Sequence, residues 1–451
     1  MINSRHFNNS KFLVKVHGQL PEGDFSICTD SRKYESGQVF YAINGENFDG
    51  FDYVENVLKS VCPIVVFESN EKNRYRLDAL DSKKTCFIEV EDTVAYLQDL
   101  GRHRRDDFKA SGGVIFGITG SNGKTSHKEM LKALLESVFG KDVHSTRGNL
   151  NNHLGVPMTL LDLEDHHKIC ILEMGTNHPG EIPALCEMGD HDHGMITNIG
   201  QSHLEFFYNE ENVFKEKRAL FDHVESKGTG FFVVPSSDKF LSNLEGKTLT
   251  KTNYTKQGSK VEFEVGGGIY EFENPDLGGD YNYSNMVTCL SLACLVYPEH
   301  AEKFLNAAST YQLPEMNRAN WIEKGSLKIF MDAYNANPSS MKVSLEYFFQ
   351  YLKDHNISKE HAVVILGDMN ELGEKSPSYH QEIGHILKRF NHQNSVFIGR
   401  FSCDYKSGAA NGVTYDSAKQ YLESKPNLSG FTHAFIKGSR SLQLESLIDI
   451  F

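Results

Sequence analysis

The sequence predicts an α/β protein with mostly parallel sheets and more than one domain. From about residue 110 onward, short apolar segments alternate with longer amphipathic stretches, which is typical of strand–helix–strand units. A second series of the same kind begins near residue 328. The chain has 451 residues, about three times a typical domain of roughly 150 residues, so a single hydrophobic core is not expected.

The strand candidates fall into three groups along the chain. The first hundred residues contain QVFYAI at 38–43, CPIVVF at 62–67 and TCFIEV at 85–90. The middle group is VIFGIT at 114–119, KICILE at 168–173, MITNI at 195–199 and FFVV at 231–234. The last group is KIFMD at 328–332, AVVILGD at 362–368, SVFIG at 395–399 and HAFIKG at 433–438. We therefore predict three domains, at 1–107, 108–311 and 312–451.

Composition and charge restrict the class of protein. Hydrophobic residues make up 39% and charged residues 24% of the chain, which is typical of a soluble globular protein. The formal net charge of -14 disfavours nucleic acid as a partner, because such binding depends on Lys and Arg neutralising phosphates. We find no signal-peptide run and no segment of roughly 20 apolar residues, so we expect a cytoplasmic protein without membrane insertion. The eight cysteines lack the paired spacing of a zinc site, and we expect them to be buried free thiols.

A glycine-rich segment, GITGSNGKTS at 117–126, carries the strongest local signal. It follows the strand candidate at 114–119 and precedes KEMLKALLESVF, which has a helical pattern. Gly120 and Gly123 allow backbone N–H groups to surround phosphate oxygens. Lys124 can place a cation on the β- and γ-phosphates, and the Thr125 hydroxyl can bind Mg²⁺. Although Ile118 occupies the first glycine position of the Walker pattern, the segment predicts nucleotide binding.

Polar residues also follow two further strand candidates. Glu173 ends KICILE, and His203 with Glu205 follows MITNI. The carboxyl ends of strands in an open parallel sheet face the ligand crevice, so Glu173 and His203 can reach the phosphate loop and its metal. Alternatively, Glu173 caps a helix or faces solvent, and His203 is a packed or surface residue.

The third domain contains two further polar segments. Asp332 opens DAYNANP at 332–338, and KGSR occupies 437–440. An Asx-turn with a helix entry at Pro338 accounts for the first segment, and a basic surface turn accounts for the second. Taken alone, both segments favour these structural interpretations.

Together these segments resemble the Mur ligases over nearly the whole chain. The matching motifs are TDSR at 29–32, GITGSNGKTS at 117–126, GNLNNHLGVP at 148–157, EMG at 173–175, TNIG at 197–200, HLE at 203–205, GDYNYSN at 279–285, NR at 317–318 and DAYNANP at 332–338. Four segments resemble the branch of the family that adds D-alanyl-D-alanine: EMGTNHPGEI at 173–182, DAYNANP at 332–338, LGDMNELG at 366–373 and KGSR at 437–440. The family loop shares the departure at Ile118.

The resemblance implies a three-domain architecture with a defined reaction. Residues 1–107 would bind a UDP-sugar substrate, 108–311 would form a central P-loop ATPase domain, and 312–451 would form a C-terminal Rossmann-like ligase domain. The implied enzyme uses ATP and Mg²⁺ to join D-alanyl-D-alanine to UDP-N-acetylmuramoyl-tripeptide through an acyl phosphate, in peptidoglycan synthesis. The chain is expected to be a monomer.

Site residues are carried over by position in the motifs. The implied nucleotide contacts are Gly120, Ser121, Asn122, Gly123, Lys124, Thr125, Ser126, Asn282, Arg318 and Asp332. The implied metal ligands are Thr125, Glu173, His203 and Lys217, the last as a carbamate. Lys124, Lys217 and His203 are the expected catalytic residues. The substrate contacts are Asp30, Ser31 and Arg32 for the UDP-sugar, Asn335 and Asn337 for the dipeptide, and Asn152.

The match has two departures and leaves two alternatives. Ala219 stands where many relatives have a glutamate, and Ser236 to Lys239 replaces a segment with Asn and a paired Asp. A folylpolyglutamate synthase shares the loop, but it is not expected to carry the TDSR or DAYNANP segments. A nucleotide-dependent switch could also use the loop, but it leaves Lys217 and His203 without a purpose.

Overall fold

The computed structural model describes residues 2–45, 48–80, 84–314 and 320–450. Within these residues, three main sheets follow one another along the chain, and each contains one of the predicted groups of strands. The predicted α/β fold with mostly parallel sheets is therefore confirmed.

The N-terminal sheet has five strands, of which one is antiparallel to its neighbour and the others are parallel. In spatial order they are Leu13–His17, Cys86–Val90, Ile64–Glu68, Val39–Ala42 and Ile27–Cys28. Short antiparallel pairs join Ile2–Asn3 to Asp24–Phe25 and Asn44–Gly45 to Phe48–Asp49. The α-helices of this region are Ser4–Asn8, Val54–Val57 and Glu71–Ala79.

The helix Thr93–Ala110 connects the first region to the second. Asp92 caps it by accepting hydrogen bonds from two backbone N–H groups in the first turn. Its Tyr96, like the two buried leucines that follow, belongs to the N-terminal core, whereas Phe108 belongs to the core of the next region. The helix thus crosses the predicted boundary between 107 and 108, and the domain limits stay predictions.

The central sheet has six parallel strands. In spatial order they are Val143–Ser145, Ile169–Glu173, Val114–Thr119, His193–Ile196, Phe232–Pro235 and Leu249–Thr252. The surrounding α-helices are Lys124–Phe139, Gly155–Leu161, Glu181–Gly189, Leu204–Phe207, Glu210–Lys227, Asp280–Val296 and Ala301–Thr310. The strand predicted at 195–199 is His193–Ile196, so it begins two residues earlier than predicted. Residues 197–199 already belong to a loop.

Sequence analysis missed a three-stranded antiparallel sheet after the central strands. Its strands are Tyr254–Gln257, Lys260–Val265 and Gly268–Glu273. The middle strand alternates exposed and buried residues, so its solvated face carries charged side chains. These strands lack the continuous apolar runs on which the strand predictions relied.

The C-terminal sheet has six strands, of which the edge strand is antiparallel and the others are parallel. In spatial order they are Asn320–Lys324, Leu327–Asp332, His433–Lys437, Ala362–Gly367, Ser395–Ile398 and Val413–Tyr415. The α-helices are Pro338–Asp354, Ser376–Arg389, Ser402–Ala409 and Ala418–Glu423.

An apolar cluster continues from the central region into the C-terminal region. Leu204 and Phe207 on the central side belong to the same buried cluster as Met369 and Leu372 on the other side. Seven cysteines are buried free thiols as predicted, whereas Cys403 is exposed. In the described part of the chain, no helix is both long and apolar enough to cross a membrane.

Candidate functional site

The predicted phosphate loop connects the strand Val114–Thr119 to the helix Lys124–Phe139. Gly120 has φ 155° and Gly123 has φ 76°, which are backbone conformations that L side chains rarely adopt. Lys124 begins the helix, and its Nζ donates a hydrogen bond to the Gly120 carbonyl oxygen at 2.9 Å. The loop therefore closes on itself at the helix N-terminus, where the helix dipole favours an anion.

The loop is held by residues that follow the neighbouring strand His193–Ile196. Asn122 N donates to Asn198 Oδ1, and the Asn122 carbonyl oxygen accepts from Asn198 Nδ2, both at 3.0 Å. Thr197 Oγ1 donates to the same carbonyl oxygen at 2.6 Å. These bonds explain why the loop keeps a fixed shape next to the sheet.

Glu173 lies at the end of its strand beside the loop, as predicted, and is 1% exposed. Its Oε1 accepts hydrogen bonds from Thr125 Oγ1 at 3.1 Å and from Asn151 Nδ2 at 2.8 Å. Among the described residues, Glu173 Oε2 has no hydrogen-bond partner. Because leaving a buried carboxylate oxygen without a partner is costly, this atom is a natural cation ligand.

These oxygen atoms fit Mg²⁺ better than they fit a softer metal. A carboxylate and a hydroxyl, completed by phosphate oxygens and water, are the ligands that Mg²⁺ usually has in nucleotide sites. No group of three or more His, Cys, Asp or Glu side chains arranged to hold a metal occurs within the residues described. The protein itself therefore offers a few hard oxygen ligands rather than a complete metal cage.

Lys217 lies on the helix Glu210–Lys227 and is fully buried. Its Nζ has no hydrogen-bond partner among the residues that the structure describes. Burial, and secondly the positive charge of Lys124, hold the pKa of Lys217 well below its ordinary value. The amine is therefore biased toward its neutral, nucleophilic form.

His203 follows the strand His193–Ile196 and lies in the left-handed conformation, with φ 53°. Its Nδ1 is 2.5 Å from Oε2 of Glu371, which belongs to the C-terminal region. Burial lowers the pKa of His203, although the carboxylate of Glu371 opposes this shift. The contact between His203 and Glu371 thus joins two regions of the chain at the predicted metal site.

Two further contacts bring the C-terminal region onto the loop. Asn337 Nδ2 donates to Asn122 Oδ1 at 2.7 Å, while Asn337 Oδ1 accepts from Ser340 N and caps the helix Pro338–Asp354. Gln201 N donates to Ser339 Oγ at 2.9 Å. The start of this helix therefore contacts the nucleotide-loop side of the site.

Asp332 ends its strand and forms a largely buried ion pair with Lys437 at 2.5 Å. Its Oδ2 also accepts a hydrogen bond from Ser344 Oγ at 2.8 Å. Lys437 Nζ donates in addition to the Asn335 carbonyl oxygen at 3.0 Å. Lys437 thus holds the segment predicted to contact the nucleotide and the dipeptide.

The central and C-terminal regions enclose a cavity of about 1270 Å³. The predicted site residues that line it are Ser121, Asn122, Gly123, Lys124, Ser126, Asn152, Glu173, His203, Asn282, Asp332 and Asn335. The other predicted residues nearby are buried and do not line it: Gly120, Thr125, Lys217 and Asn337. The structure therefore brings most predicted nucleotide and metal contacts together.

Some predicted contacts have local roles or lie elsewhere. Asn282 Nδ2 donates to the carbonyl oxygens of residues 277 and 278. Asn152 Oδ1 accepts from Leu154 N and Gly155 N, just before the helix Gly155–Leu161. The segment 30–32 lies in the N-terminal region away from this cavity, and its Asp30 pairs with the exposed Arg32. Arg318 lies outside the described residues.

Sequence reasoning missed several residues that the structure places in the site. Asn151 and Asn198 stood inside motifs that were recognised, but neither had a predicted role. Ser339 and Glu371 also line the cavity. Glu371 follows the strand Ala362–Gly367 in the segment LGDMNELG. The criterion that identified Glu173, a polar residue after a strand candidate, would therefore also have identified Glu371. Asp238 lines the cavity as well, but its carboxylate accepts from the backbone N–H groups of residues 199, 240 and 241.

Comparison with known protein families agrees with the resemblance of the sequence to the Mur ligases. Residues 118–293 match the Mur ligase middle domain, and residues 317–412 match the Mur ligase, glutamate ligase domain. The UDP-N-acetylmuramoyl-tripeptide--D-alanyl-D-alanine ligase of Synechocystis is 30% identical, over 87% of this chain and 83% of the relative. The enzyme of that name from Bacillus subtilis is 29% identical, over 94% of this chain and 92% of its own length.

Solved structures agree with the sequence comparisons. A crystal structure of MurF from Acinetobacter baumannii is 28% identical with a TM-score of 0.79, covering 94% of this chain and 92% of that one. MurF ligase from Thermotoga maritima in complex with ADP has a TM-score of 0.76 at 22% identity, covering 95% and 97%, and shows likeness of fold. The chain therefore belongs to the Mur ligase family.

Proposed function

We propose that this chain is an ATP-dependent ligase that joins D-alanyl-D-alanine to UDP-N-acetylmuramoyl-tripeptide in peptidoglycan synthesis. The observation that carries the proposal is the cavity between the phosphate loop and the segment 332–340, with Glu173 and Lys124 on one wall and Asp332 and Asn335 on the other. The names of the full-length relatives support the choice of substrates. The products are UDP-N-acetylmuramoyl-pentapeptide, ADP and phosphate.

In the first step, an oxygen of the tripeptide carboxylate attacks the γ-phosphorus of ATP. The bond from that phosphorus to the β,γ-bridging oxygen breaks, so ADP leaves and an acyl phosphate remains. Both reactants are anions, and their repulsion must be offset by cations at the site. Lys124 and the N-terminus of the helix Lys124–Phe139 supply positive potential there.

In the second step, the amine of D-alanyl-D-alanine attacks the acyl carbon, and phosphate leaves. The amine loses its proton as the amide bond forms. Water would hydrolyse the acyl phosphate, so the site must exclude it. The contacts of Asn337 with Asn122 and of Ser339 with Gln201 close the C-terminal region over the loop.

We propose ATP as the nucleotide and Mg²⁺ as its metal. Thr125 and Glu173 are suited to hold Mg²⁺ on the loop side, and His203 is suited to a second position. The metal would supply charge stabilisation for the transferring phosphoryl group. Lys217, as a carbamate formed from its neutral amine and carbon dioxide with release of a proton, would add a carboxylate to this set.

The remaining assignments belong to the same proposal. Asp30, Ser31 and Arg32 would bind the UDP-sugar on a first domain at 1–107, and Asn152 would contact the same substrate. Asn335, and Asn337 at the N-terminus of the helix that it caps, would hold the dipeptide. Domains at 108–311 and 312–451, a cytoplasmic location and a monomeric state complete the proposal.

The test is phosphate release from ATP by the purified protein, with bicarbonate present. UDP-N-acetylmuramoyl-tripeptide and D-alanyl-D-alanine are added singly and then together. We expect release to require both substrates and the product to have the mass of the pentapeptide. Lys124→Met should abolish release, whereas Lys132→Met on the same helix should leave it within about twofold of the unaltered protein.

The same assay separates this proposal from related ligases. FolC from Escherichia coli has a TM-score of 0.55 with this chain at 14% identity, which shows shared fold. Phosphate release that is indifferent to D-alanyl-D-alanine but responds to another amine donor would replace the proposed substrates while keeping the ligase chemistry. Release that is unaffected by any carboxylate substrate would instead favour a nucleotide-dependent switch.

A further inference from the structure

A short segment of the C-terminal region, residues 370–373, lies directly against the loop that carries His203. Nδ1 of His203 lies 2.5 Å from Oε2 of Glu371, and Glu205 N donates a hydrogen bond to the Glu371 carbonyl oxygen at 2.9 Å. A Cβ atom on Gly373 would lie only 3.3 Å from Glu205 Cα, so the two backbones are in close approach. The carboxylate of Glu371 is therefore placed by backbone contacts and not only by its own side chain.

Both residues of the contact, His203 and Glu371, have unusual backbone conformations. His203 has φ 53° and Glu371 has φ 62°, values that few residues other than glycine adopt. Such conformations are strained and persist where the surroundings enforce them. Leu204 and Leu372, the buried neighbours of the two residues, belong to one apolar cluster and supply that constraint. Two strained residues facing each other across a domain interface indicate a function for the pair.

The chemistry of the pair decides what this function is. A carboxylate beside Nδ1 of a neutral histidine favours the tautomer that carries the proton on Nδ1. Nε2 then carries a lone pair and is the ring nitrogen that can bind a metal ion. The ring of His203 lines the cavity that also contains Glu173 and Lys124.

We propose that Glu371 is a positioning residue that acts through His203, so that closure of the C-terminal domain prepares His203 Nε2 to bind the Mg²⁺ that accompanies the nucleotide. This inference rests on the proposed function for its metal and nucleotide. It adds a coupling between domain closure and metal binding. The metal site is then complete only when residues 370–373 lie on the central domain.

The first test measures how strongly the binding of a non-hydrolysable ATP analogue depends on the Mg²⁺ concentration. Loss of a carboxylate that orients a metal-binding histidine typically costs 10- to 100-fold in metal affinity. We expect Glu371→Ala to raise the Mg²⁺ concentration for half-saturation by about 10- to 100-fold. Glu371→Gln keeps an acceptor and loses the charge, so its effect should be smaller, and it serves if the alanine variant does not fold.

The matched control is Glu374→Ala, which removes an exposed glutamate directly after this segment. It should bind the analogue with an unchanged Mg²⁺ dependence. In a His203→Ala background, Glu371→Ala should have no further effect, because the positioning residue acts only through the imidazole. Small-angle scattering should show compaction with Mg²⁺ and the analogue that is reduced in Glu371→Ala.

Three results would overturn the inference. One is an unchanged Mg²⁺ dependence in both Glu371 variants, and another is an equal effect of Glu371→Ala when His203 is absent. The third is a loss of analogue affinity that is the same with and without Mg²⁺, which would make Glu371 a contact between domains and nothing more. Because these measurements need no peptide substrate, they remain decisive even if phosphate release disproves the proposed substrates.

Discussion

Replacement of Gly120 by alanine tests whether the shape of the phosphate loop is set by backbone conformation and by its contact with Thr197. Gly120 has φ 155°, where an alanine is strained, and a Cβ atom there would lie 1.9 Å from Thr197 Oγ1. Ordinary contacts of a Cβ atom begin at 3.4 Å, so one of the two groups must move by about 1.5 Å. The rigid sheet behind Thr197 leaves the loop as the part that moves.

The expected cost has three physical sources. Backbone strain contributes about 1–3 kcal/mol, and overpacking contributes about 1–3 kcal/mol. Movement of the loop away from Thr197 also threatens the hydrogen bond that Thr197 Oγ1 donates to the Asn122 carbonyl oxygen, worth about 1 kcal/mol. Together these contributions predict a loss of about 3–7 kcal/mol in the free energy of unfolding of the central domain. We also expect at least about tenfold weaker binding of an ATP analogue.

Calorimetric unfolding and isothermal titration with the analogue measure both quantities. Gly112→Ala is the matched control, since its φ of 88° imposes backbone strain but nothing lies within 4 Å of the added Cβ atom. That variant should lose only about 1–2 kcal/mol and bind the analogue normally. If the free energy of unfolding of Gly120→Ala is within about 0.5 kcal/mol of that of the unaltered protein, and the variant binds the analogue equally well, the reasoning from the loop geometry is refuted.

Three further predictions follow from buried charged or titratable groups. Lys437→Met leaves the largely buried Asp332 carboxylate without its cation and should lower the free energy of unfolding, measured by chemical denaturation, by about 3–5 kcal/mol. Adding Asp332→Asn to this variant should restore most of the lost stability. Burial lowers the pKa of His127 to about 4, so the unfolded state takes up a proton at higher pH than the folded state and stability falls as pH drops from about 6.5 to 4. His127→Gln should reduce this dependence of the free energy of unfolding on pH by up to about 1.4 kcal/mol per pH unit. An unchanged slope would contradict this prediction. With ¹³C-bicarbonate, NMR should show a carbamate carbon that is absent from Lys217→Met, and absence of the signal from the unaltered protein would remove the carbamate from the proposal.

Local sequence was sufficient to predict the phosphate loop and the strands around it. The geometry of Gly120 to Thr125 depends on consecutive residues, so glycine and lysine positions between a strand and a helix are informative by themselves. Glu173 was found for a related reason, since the end of a parallel strand marks the ligand side of the sheet. Continuous apolar runs likewise predicted the buried parallel strands. The half-exposed antiparallel sheet at 254–273 was not predicted, because its strands lack such runs.

Contacts between residues far apart in the chain were decided only by the tertiary structure. Sequence predicted roles for His203 and Asn337 in binding but did not indicate that one pairs with Glu371 and the other with Asn122. The ion pair of Lys437 with Asp332 joins the ends of two strands that are neighbours in the sheet but separated by 105 residues. Pattern and spacing show which face of an element is buried, but which distant side chain it meets depends on how the domains pack, and that packing has no local signature in the sequence.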